Sequence, residues 1–331
     1  MNTHPSRLTL AVTTIFCLFV STYSHAIPIL FGATHNGPDG DSTLVMINPT
    51  TGAATSVGSG LGFERVSGLD FDPVSGLLYG TGERADGSNT HVLFTVDTAT
   101  GVGTEVGPTG VEGFNGIFGG ANTFSDISFR PSDGALFGFG VPGESLVNIN
   151  LSTGAASQIA FATFNGELGF QANDGSALAF DSTSILFHAA GEDPSGRSCS
   201  GTPPNGGGAA FGCPDLLHTV DPATSLATIF QELLIPDLSV GENPRPNAMD
   251  FDFETGLLYA SIVYGSGGSA TNYLGIIDIS TGLVSLRGVT SSGLDAIAFA
   301  EISAVPVPAA VWLFGTALIG LIGFGKRRKT V

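Results

Sequence analysis

Between residues 27 and 303, apolar side chains alternate with small or polar ones along short segments. This period of two predicts β-strands, and no long segment shows the apolar stripe of a helix. One strand–turn–strand unit recurs at 68–80, 126–138, 177–189, 248–260 and, truncated, at 295–302, and ILFG at 29–32 resembles a second strand whose first is missing. The apolar pairs of the first strands are Leu69/Phe71, Ile127/Phe129, Leu178/Phe180, Met249/Phe251 and Ile297/Phe299.

A second motif alternates with the first and consists of an apolar strand, Asn or Asp, two variable residues, Thr and Gly. Its copies start at Asn48, Asp97, Asn150, Asp221 and Asp278. An Asx side chain caps the turn that follows it, and glycine supplies the positive φ that such turns need. We therefore interpret these residues as turn formers and not as ligands. Ser225 replaces the glycine of the fourth copy, so we expect that turn to be strained or of another type.

Each repeat of about 50 residues thus contains four strands, which is typical of a β-propeller. The chain begins with strands two to four of a unit and ends with a lone first strand. Pairing of 294–302 with 28–59 would complete a blade and close the ring. We predict an all-β propeller of five blades, or six if 190–245 contains a degenerate blade. Its strand order is similar to that of WD-repeat and YVTN propellers, whose diagnostic signatures are absent.

The first strand of each unit is expected to be innermost, with small residues facing the central channel. The polar residues that precede them would then surround one mouth of that channel. Together with Asp126, these residues are the candidate ligand contacts: Ser67, Ser125, Ser176, Asn247 and Asp295.

Both ends of the chain have the pattern of targeting segments. Residues 1–26 contain Arg7, the apolar run 8–20 and a small-x-small sequence at 24–26. This order predicts a secretory signal peptide, with an N-terminal membrane anchor as the alternative. Near the other end, the apolar run 309–325 would be about 25 Å long as a helix, the short end of the transmembrane range. The basic residues after it, which we expect on the cytoplasmic side, are Lys326, Arg327, Arg328 and Lys329.

A proline-rich motif precedes this apolar run and consists of Val305, Pro306, Val307, Pro308 and Ala309. The order of motif, short glycine-containing apolar helix and basic cluster resembles the PEP-CTERM sorting signal in its VPLPA variant, with Val307 where Leu is usual. The resemblance covers about 27 residues at 304–331. It implies a Gram-negative bacterium, an exosortase that recognises and processes the tail, and export to the cell surface or extracellular matrix. A simple tail anchor is the alternative.

Charge narrows the range of functions. Residues 27–303 contain all 29 acidic residues, six arginines and no lysine, so this segment has a net charge of about −23. Such a domain lacks the clustered cations that nucleic-acid binding requires. It also lacks a lysine for a P-loop or a Schiff base. The four histidines of this segment show no metal-ligand spacing, and we interpret them as surface or loop residues.

Two loops carry candidate cross-link or metal chemistry. Cys199 and Cys213 lie in a Gly/Pro/Ser-rich insertion at 190–215, and export would favour a disulfide between them over two free thiols. Asn36, Asp39 and Asp41 offer oxygen ligands on a glycine-containing loop, so Ca²⁺ is the candidate cofactor. A polar hairpin loop without metal is the alternative interpretation.

Carboxylates are the abundant reactive group, and Asp70, Asp126, Asp250 and Asp295 lie on predicted innermost strands. Two carboxyl groups held a few ångströms apart can act as acid and base in glycoside hydrolysis. A propeller glycoside hydrolase acting on matrix polysaccharide is therefore the alternative function. For sugar binding, Tyr264 and Tyr273 are the better aromatic candidates, since Tyr79 and Tyr259 belong to repeat strands. Because no specific catalytic constellation is present, the sequence favours a non-enzymatic structural or binding module whose partner is extracellular polysaccharide or a surface protein.

Overall fold

A computed structural model describes residues 28–35, 40–111, 123–141, 145–161, 163–164, 167–168, 176–190, 215–236, 245–264 and 271–300. The segments 1–26 and 304–331, predicted to be the signal peptide and sorting signal, lie outside these ranges. No helix in the described ranges is long and apolar enough to cross a membrane.

The strands of the described ranges form five sheets, and four antiparallel strands of each sheet make up one propeller blade. Blade 1 contains β22 (Leu294–Ala300), β1 (Ile29–Thr34), β2 (Thr43–Ile47) and β3 (Ala54–Val57). Blade 2 contains β4 (Phe63–Phe71), β5 (Leu78–Arg84), β6 (His91–Val96) and β7 (Gly103–Pro108). Blade 3 contains β8 (Thr123–Arg130), β9 (Ala135–Val141), β10 (Ser145–Ile149) and β11 (Ala156–Phe161).

The last two blades follow the same order. Blade 4 contains β14 (Ser176–Phe180), β15 (Leu186–Ala190), β16 (Leu216–Val220) and β17 (Leu226–Glu232). Blade 5 contains β18 (Arg245–Asp252), β19 (Leu257–Tyr264), β20 (Thr271–Ile277) and β21 (Val284–Val289). The short strands β12 (Thr163–Phe164) and β13 (Glu167–Leu168) extend blade 4, with β12 parallel to β17. The region 190–245 thus supplies outer strands of blade 4, and the six-blade alternative is wrong.

The ring closes as the repeat phase predicts. The last strand, β22, pairs antiparallel with β1, and Leu30 lies opposite Phe299 in the register. In each blade we call the four strands a to d from the channel outward. The five a strands (β22, β4, β8, β14 and β18) each contact the next around the ring. Closure removes the two open sheet edges that the chain ends would otherwise leave.

The hydrophobic core is divided among the interfaces between blades. Five clusters of buried side chains are present, and each contains residues of two neighbouring blades. In the cluster between blades 1 and 2, Phe31 of blade 1 packs against Phe71 of blade 2, with ring centroids 5.9 Å apart. Face-to-face packing of adjacent blades is therefore the main source of apolar burial.

The Asx motifs form the c–d turns. In each copy the residue at the glycine position donates its backbone N–H to the carbonyl oxygen of the Asx residue. Ser225 makes the same bond to Asp221 at 2.8 Å, so the expectation of another turn type is wrong. Its φ of 57° places Ser225 in the left-handed region, where a residue other than glycine is strained, as expected from the sequence.

The antiparallel strand order gives the propeller two different ends. At one end lie the short a–b and c–d turns, and we call this end the turn face. At the other end lie the connections from strand b to strand c and from strand d to strand a of the next blade. We call this end the connection face. Its connections range from 142–144, three residues, to 191–215, 25 residues. The c–d turns, in contrast, are five or six residues each, from 48–53 to 278–283.

Candidate functional site

Three aspartates lie inside the channel, each on an a strand. Asp70, Asp126 and Asp250 are all buried, with exposed fractions of 7%, 0% and 7%. Asp126 directly follows the polar residue at the start of its a strand, whereas Asp70 and Asp250 each follow theirs by three residues. The repeat alignment placed them on the innermost strands, and the structure confirms that placement.

Asp70 and Asp250 link neighbouring blades. In each, Oδ1 accepts a hydrogen bond from the next residue's N–H. The Oδ2 atom of Asp70 accepts the N–H of Phe129 at 2.6 Å, and that of Asp250 accepts the N–H of Phe299, also at 2.6 Å. An a strand at the channel has no inner neighbour to pair with its inward N–H groups, and these carboxylates supply the acceptors.

Asp126 joins three blades. Its Oδ1 accepts the N–H of Ile127 at 2.9 Å, and its Oδ2 accepts those of Leu178 at 3.0 Å and Met249 at 3.3 Å. Burial raises the pKa of the Asp126 carboxyl well above its usual range, the three backbone donors lower it in part, and the charge of Asp70 raises it further. The pKa of Asp250 is also raised by burial and by the charge of Asp70.

These bonds bear on the hydrolase alternative, which uses channel carboxylates as acid and base. Both oxygens of Asp70, Asp126 and Asp250 already accept backbone N–H groups, so each side chain is fixed to the structure of the ring. No group of three or more His, Cys, Asp or Glu in the described ranges could hold a metal ion.

Beyond these aspartates, toward the turn face, the channel opens into an aromatic pocket. The space free of protein atoms in this pocket is about 320 Å³, part of which is open solvent and not enclosed. Each blade contributes one phenylalanine to its wall, and Pro73, Pro131 and Phe253 complete the apolar lining. The five equivalent phenylalanines are Phe71, Phe129, Phe180, Phe251 and Phe299.

The predicted polar mouth lies at the start of the a strands, on the connection face. Ser67, Ser125, Asn247 and Asp295 are half-buried there, and Ser176 begins β14 at the equivalent position. The hydroxyl groups of Ser67 and Ser125 donate to the backbone carbonyl oxygens of Phe124 and Phe139, respectively. The alignment thus placed these residues at one end of the channel, and contact with a ligand remains a prediction.

Asp295 is the centre of a polar cluster between blades 5 and 1. Its Oδ1 accepts the Asn247 side-chain N–H at 3.0 Å, and its Oδ2 lies 3.3 Å from Nδ1 of His35. Burial raises the pKa of Asp295, while the charge of His35 and the bond from Asn247 lower it in part. His35 and Asp295 keep side-chain exposures of 34% and 27%, so the cluster is open to a ligand. Sequence reasoning missed His35, which follows the last residue of β1.

The other histidines contradict the expectation of surface or loop residues. His91, His188 and His218 are strand residues with exposed fractions of 1%, 0% and 0%. His188 lies opposite His218 in the sheet, and its ring centroid is 4.3 Å from that of Phe139. Burial, followed by the charge of His218, lowers the pKa of His188 to about 3.

Tyr264 and Tyr273 border the b–c connection of blade 5 and are half-buried, while Tyr79 and Tyr259 are core residues, as predicted. Of the predicted calcium ligands, Asp41 is exposed, and Asn36 and Asp39 lie outside the described residues. The predicted disulfide (Cys199 and Cys213), sorting motif (305–309) and basic tail (326–329) also lie outside them.

Neither a protein-family model nor a curated protein matches this chain. Solved structures with a similar fold include TolB from Acinetobacter baumannii, which is 12% identical in sequence and has a TM-score of 0.42. This match covers 80% of this chain and 54% of the TolB chain. A chain of a nidogen/laminin complex matches at 11% identity, 82% of this chain, 98% of that chain and a TM-score of 0.44. Kuenenia stuttgartiensis hydrazine synthase matches at 13% identity, 71% of this chain, 51% of that chain and a TM-score of 0.37.

The chain spans about half the length of the TolB chain that it matches. At these identities and TM-scores, the similarity says nothing about function. The assignment as a β-propeller follows from the strand order within each sheet and from the pairing of β1 with β22.

Proposed function

We propose that this chain is an exported, non-enzymatic binding module of the cell surface or extracellular matrix, with its ligand site on the connection face. The observation that carries this proposal is the contrast between the two ends of the propeller. The c–d turns repeat one Asx motif at nearly constant length, whereas the connections range from 142–144 to 191–215. Variable loops on a rigid scaffold are where binding sites are most often built.

The chemistry of the described mouth indicates the class of ligand. Asp295, His35 and Asn247 form a half-exposed polar cluster at the end of the channel. The surrounding domain has a large excess of acidic residues, which disfavours polyanions. Tyr264 and Tyr273 add aromatic surface at the same end of blade 5. An uncharged extracellular polysaccharide fits these groups best.

The export route in this proposal rests on the sequence of the two ends. A signal peptide over 1–26 and an exosortase-processed tail over 304–331 would bring the propeller to the cell surface of a Gram-negative bacterium. Mature protein from the native host that still carries Lys326–Val331 would contradict processing by an exosortase.

A sedimentation experiment tests the binding proposal. Residues 27–303 contain every strand of the closed ring. This fragment is mixed with the extracellular polysaccharide of the host, and co-sedimentation and release of reducing sugar are measured with and without Ca²⁺. We expect binding without sugar release, weakened severalfold in N247A and D295N. The matched control is D278N on the turn face, because two natural copies of that turn begin with Asn.

Each result has a definite meaning. Release of reducing sugar that is lost in D126N would replace the binding module with the hydrolase. Binding that D278N weakens as much as D295N would contradict the location of the site on the connection face. Binding that requires Ca²⁺ would indicate the loop containing Asn36, Asp39 and Asp41. Absence of both binding and sugar release would contradict a polysaccharide ligand and direct the search to surface proteins.

A further inference from the structure

The aromatic pocket of the turn face combines an apolar wall with negative charge. Its polar lining residues are Asp70, Ser128 and Asp250, and none of the described residues that line it is basic. Asp70 and Asp250 each keep an exposed fraction of 7%, whereas Asp126 is fully buried and is not a lining residue. Two of the three channel aspartates are therefore within reach of a ligand in this pocket.

The phenylalanines of the wall are held by aromatic pairs between blades. Each packs against an aromatic b-strand residue of the preceding blade, with ring centroids 4.9–5.9 Å apart and ring planes tilted by 50–63°. The five pairs are Phe71 with Phe31, Phe129 with Tyr79, Phe180 with Phe137, Phe251 with Phe187 and Phe299 with Tyr259. Because these contacts fix the rings before any ligand enters, little ordering of side chains opposes binding.

Asp250 differs from Glu83, a buried carboxylate of blade 2 that has basic partners. Nη1 of Arg65 donates to both Glu83 oxygens at 3.1 Å, and Oε1 of Glu83 lies 3.5 Å from Nε2 of His91. His91, followed by Arg65, keeps the pKa of Glu83 below its usual value. The pKa of Asp250, in contrast, is raised by burial and by the charge of Asp70, and no basic side chain of the described residues opposes this rise. A buried charge needs a partner of opposite sign, and the pocket is where such a partner can approach Asp250.

Asp250 retains the capacity to accept further hydrogen bonds. An ionised carboxylate has about four lone-pair sites, and the N–H groups of Phe251 and Phe299 occupy one at each oxygen. A protonated amine supplies both the missing positive charge and N–H donors, and such charge-assisted bonds are stronger than neutral ones. Aromatic rings also attract a cation that lies over their faces. A hydrated metal ion would leave the apolar wall unused, whereas an alkyl chain matches it.

We propose that the aromatic pocket binds an alkylammonium group, with its nitrogen at Asp70 and Asp250 and its carbon chain among the phenylalanines. The large excess of acidic residues in 27–303 attracts such a cation. A free amine and a lysine side chain of another protein both present this group. The propeller contains no lysine, so a second copy of it does not supply one. Since the pocket opens at the turn face, this inference is independent of what the connection face binds.

Calorimetric titration of the full chain, purified in an uncharged detergent, tests the need for a charged nitrogen. The first two probes are n-butylammonium and 1-butanol, which has the same carbon chain without a charge. We expect n-butylammonium to bind once per chain, with an affinity about tenfold or more above that of 1-butanol. The third probe, N-acetyl-lysine amide, identifies the source of the group. Binding as tight as that of n-butylammonium indicates a lysine side chain, and much weaker binding indicates a free amine.

Two variants test the assignment to this pocket. D250N removes one charge and keeps the shape of the side chain, and F253L removes a ring and keeps the wall apolar. Both should weaken n-butylammonium binding severalfold, and F253L should leave 1-butanol binding nearly unchanged. The control for charge is D278N, in a c–d turn of the same face, and the control for the ring is F230L, because Phe230 is 44% exposed and does not line the pocket. If D250N does not fold, F253L and the comparison of the probes still decide the question.

Three results would overturn the inference. Equal binding of n-butylammonium and 1-butanol would show a pocket that selects only for apolar groups. Equal weakening by D250N and D278N would show that the overall negative charge, and not the pocket, attracts the cation. Absence of binding by both n-butylammonium and N-acetyl-lysine amide would show that the channel aspartates are neutralised without a ligand.

Discussion

At the scale of single residues, Asp126 carries the largest predicted effect on stability. Its Oδ2 accepts the N–H groups of Leu178 and Met249, which belong to two other blades. D126A leaves both buried donors without this acceptor and should lower the free energy of unfolding by about 2–5 kcal/mol. D126N keeps one acceptor oxygen and should cost less. Denaturant unfolding measures both changes.

The control for Asp126 is Asp97, whose carboxylate accepts backbone N–H groups of its own turn. Asp97 is exposed, and the equivalent turns begin with Asn48 and Asn150. D97N should therefore stay within about 0.5 kcal/mol of the natural chain. Equal stability of D126A and D97N would refute the account of the channel.

His188 gives the propeller a pH dependence with a definite sign. Its pKa in the folded state is lowered from 6.5 to about 3 by burial. The unfolded chain therefore binds a proton below pH 6.5 that the folded chain excludes. His188 therefore does not lower the free energy of unfolding above pH 6.5. Below pH 6.5 it lowers that free energy by about 1.4 kcal/mol per pH unit, until the pH approaches 3.

The H188F variant isolates this group. Its stability relative to the natural chain should rise as the pH falls from 7 to 4 in urea unfolding experiments. F139L alters the packing against the same ring without removing a titratable group, so its effect should not vary with pH. A constant difference between H188F and the natural chain over this range would exclude His188 as the source.

The repeat alignment already contained the signal for the buried histidines. His188 occupies the position that is Gly32, Gly80, Gly138 and Ala260 in the other blades. A side chain at this position packs against its cross-strand neighbour in the buried core. At Gly80, for example, an added Cβ would lie 2.6 Å from the ring of Phe94 on the adjacent strand. Spacing rules for metal ligands could not reveal this, because they compare histidines with one another and not with their places in the repeat.

At the scale of elements, the turn at Ser225 tests the balance between backbone strain and hydrogen bonding. Ser225 has the left-handed φ that glycine has in the other copies, and its hydroxyl donates to the carbonyl oxygen of Ala160 at 3.3 Å. S225A keeps the strain and loses the bond, so it should lower stability by about 1 kcal/mol. S225G loses the bond but relieves about 1–2 kcal/mol of strain.

S225G should therefore be at least as stable as the natural chain, and S225A should be less stable. Thermal unfolding of the two variants measures the difference. If S225A is the more stable of the two, the left-handed φ is not a source of strain.

The closing strand pair depends on a glycine. A Cβ added at Gly32 would lie 2.9 Å from the carbonyl oxygen of Ala296 and 2.6 Å from Cδ1 of Leu294. G32A should therefore weaken the pairing of β1 with β22 and cost about 1–3 kcal/mol. In blade 3, G140A is the matched control, because its nearest atom would be 3.7 Å away. Equal melting temperatures of G32A and G140A would contradict the packing of the closing strands.

Strand positions and ring closure could be predicted because both follow from repeated local chemistry. The alternation of Leu69 and Phe71, and its copies, defined the a strands, and the unpaired ILFG segment defined the closure. The extension β12–β13 was missed because a two-residue strand has no period to detect. The three-blade contacts of Asp126 were missed because they join residues that are 52 and 123 positions apart.

At the scale of the whole molecule, the difference between the two faces is the finding that sequence reasoning reached only in part. The alignment predicted a polar mouth at the start of the a strands, and the structure places Ser67, Ser125, Asn247 and Asp295 there. It did not predict that the turn face carries exposed apolar side chains. In the sequence, Leu77 and Leu257 fit an ordinary strand pattern, and only the arrangement of the blades around one axis shows that both occupy the same exposed position.

Hydrogen–deuterium exchange of the 27–303 fragment, with and without the host polysaccharide, tests the central claim most directly. If the connection face binds the ligand, backbone amides at 35–42, 233–244 and 265–270 should exchange more slowly when polysaccharide is present. Amides of the c–d turns at 97–102 and 278–283 should be unchanged. Protection confined to those turns, or an exchange pattern that polysaccharide does not alter, would contradict the assignment of binding to the connection face.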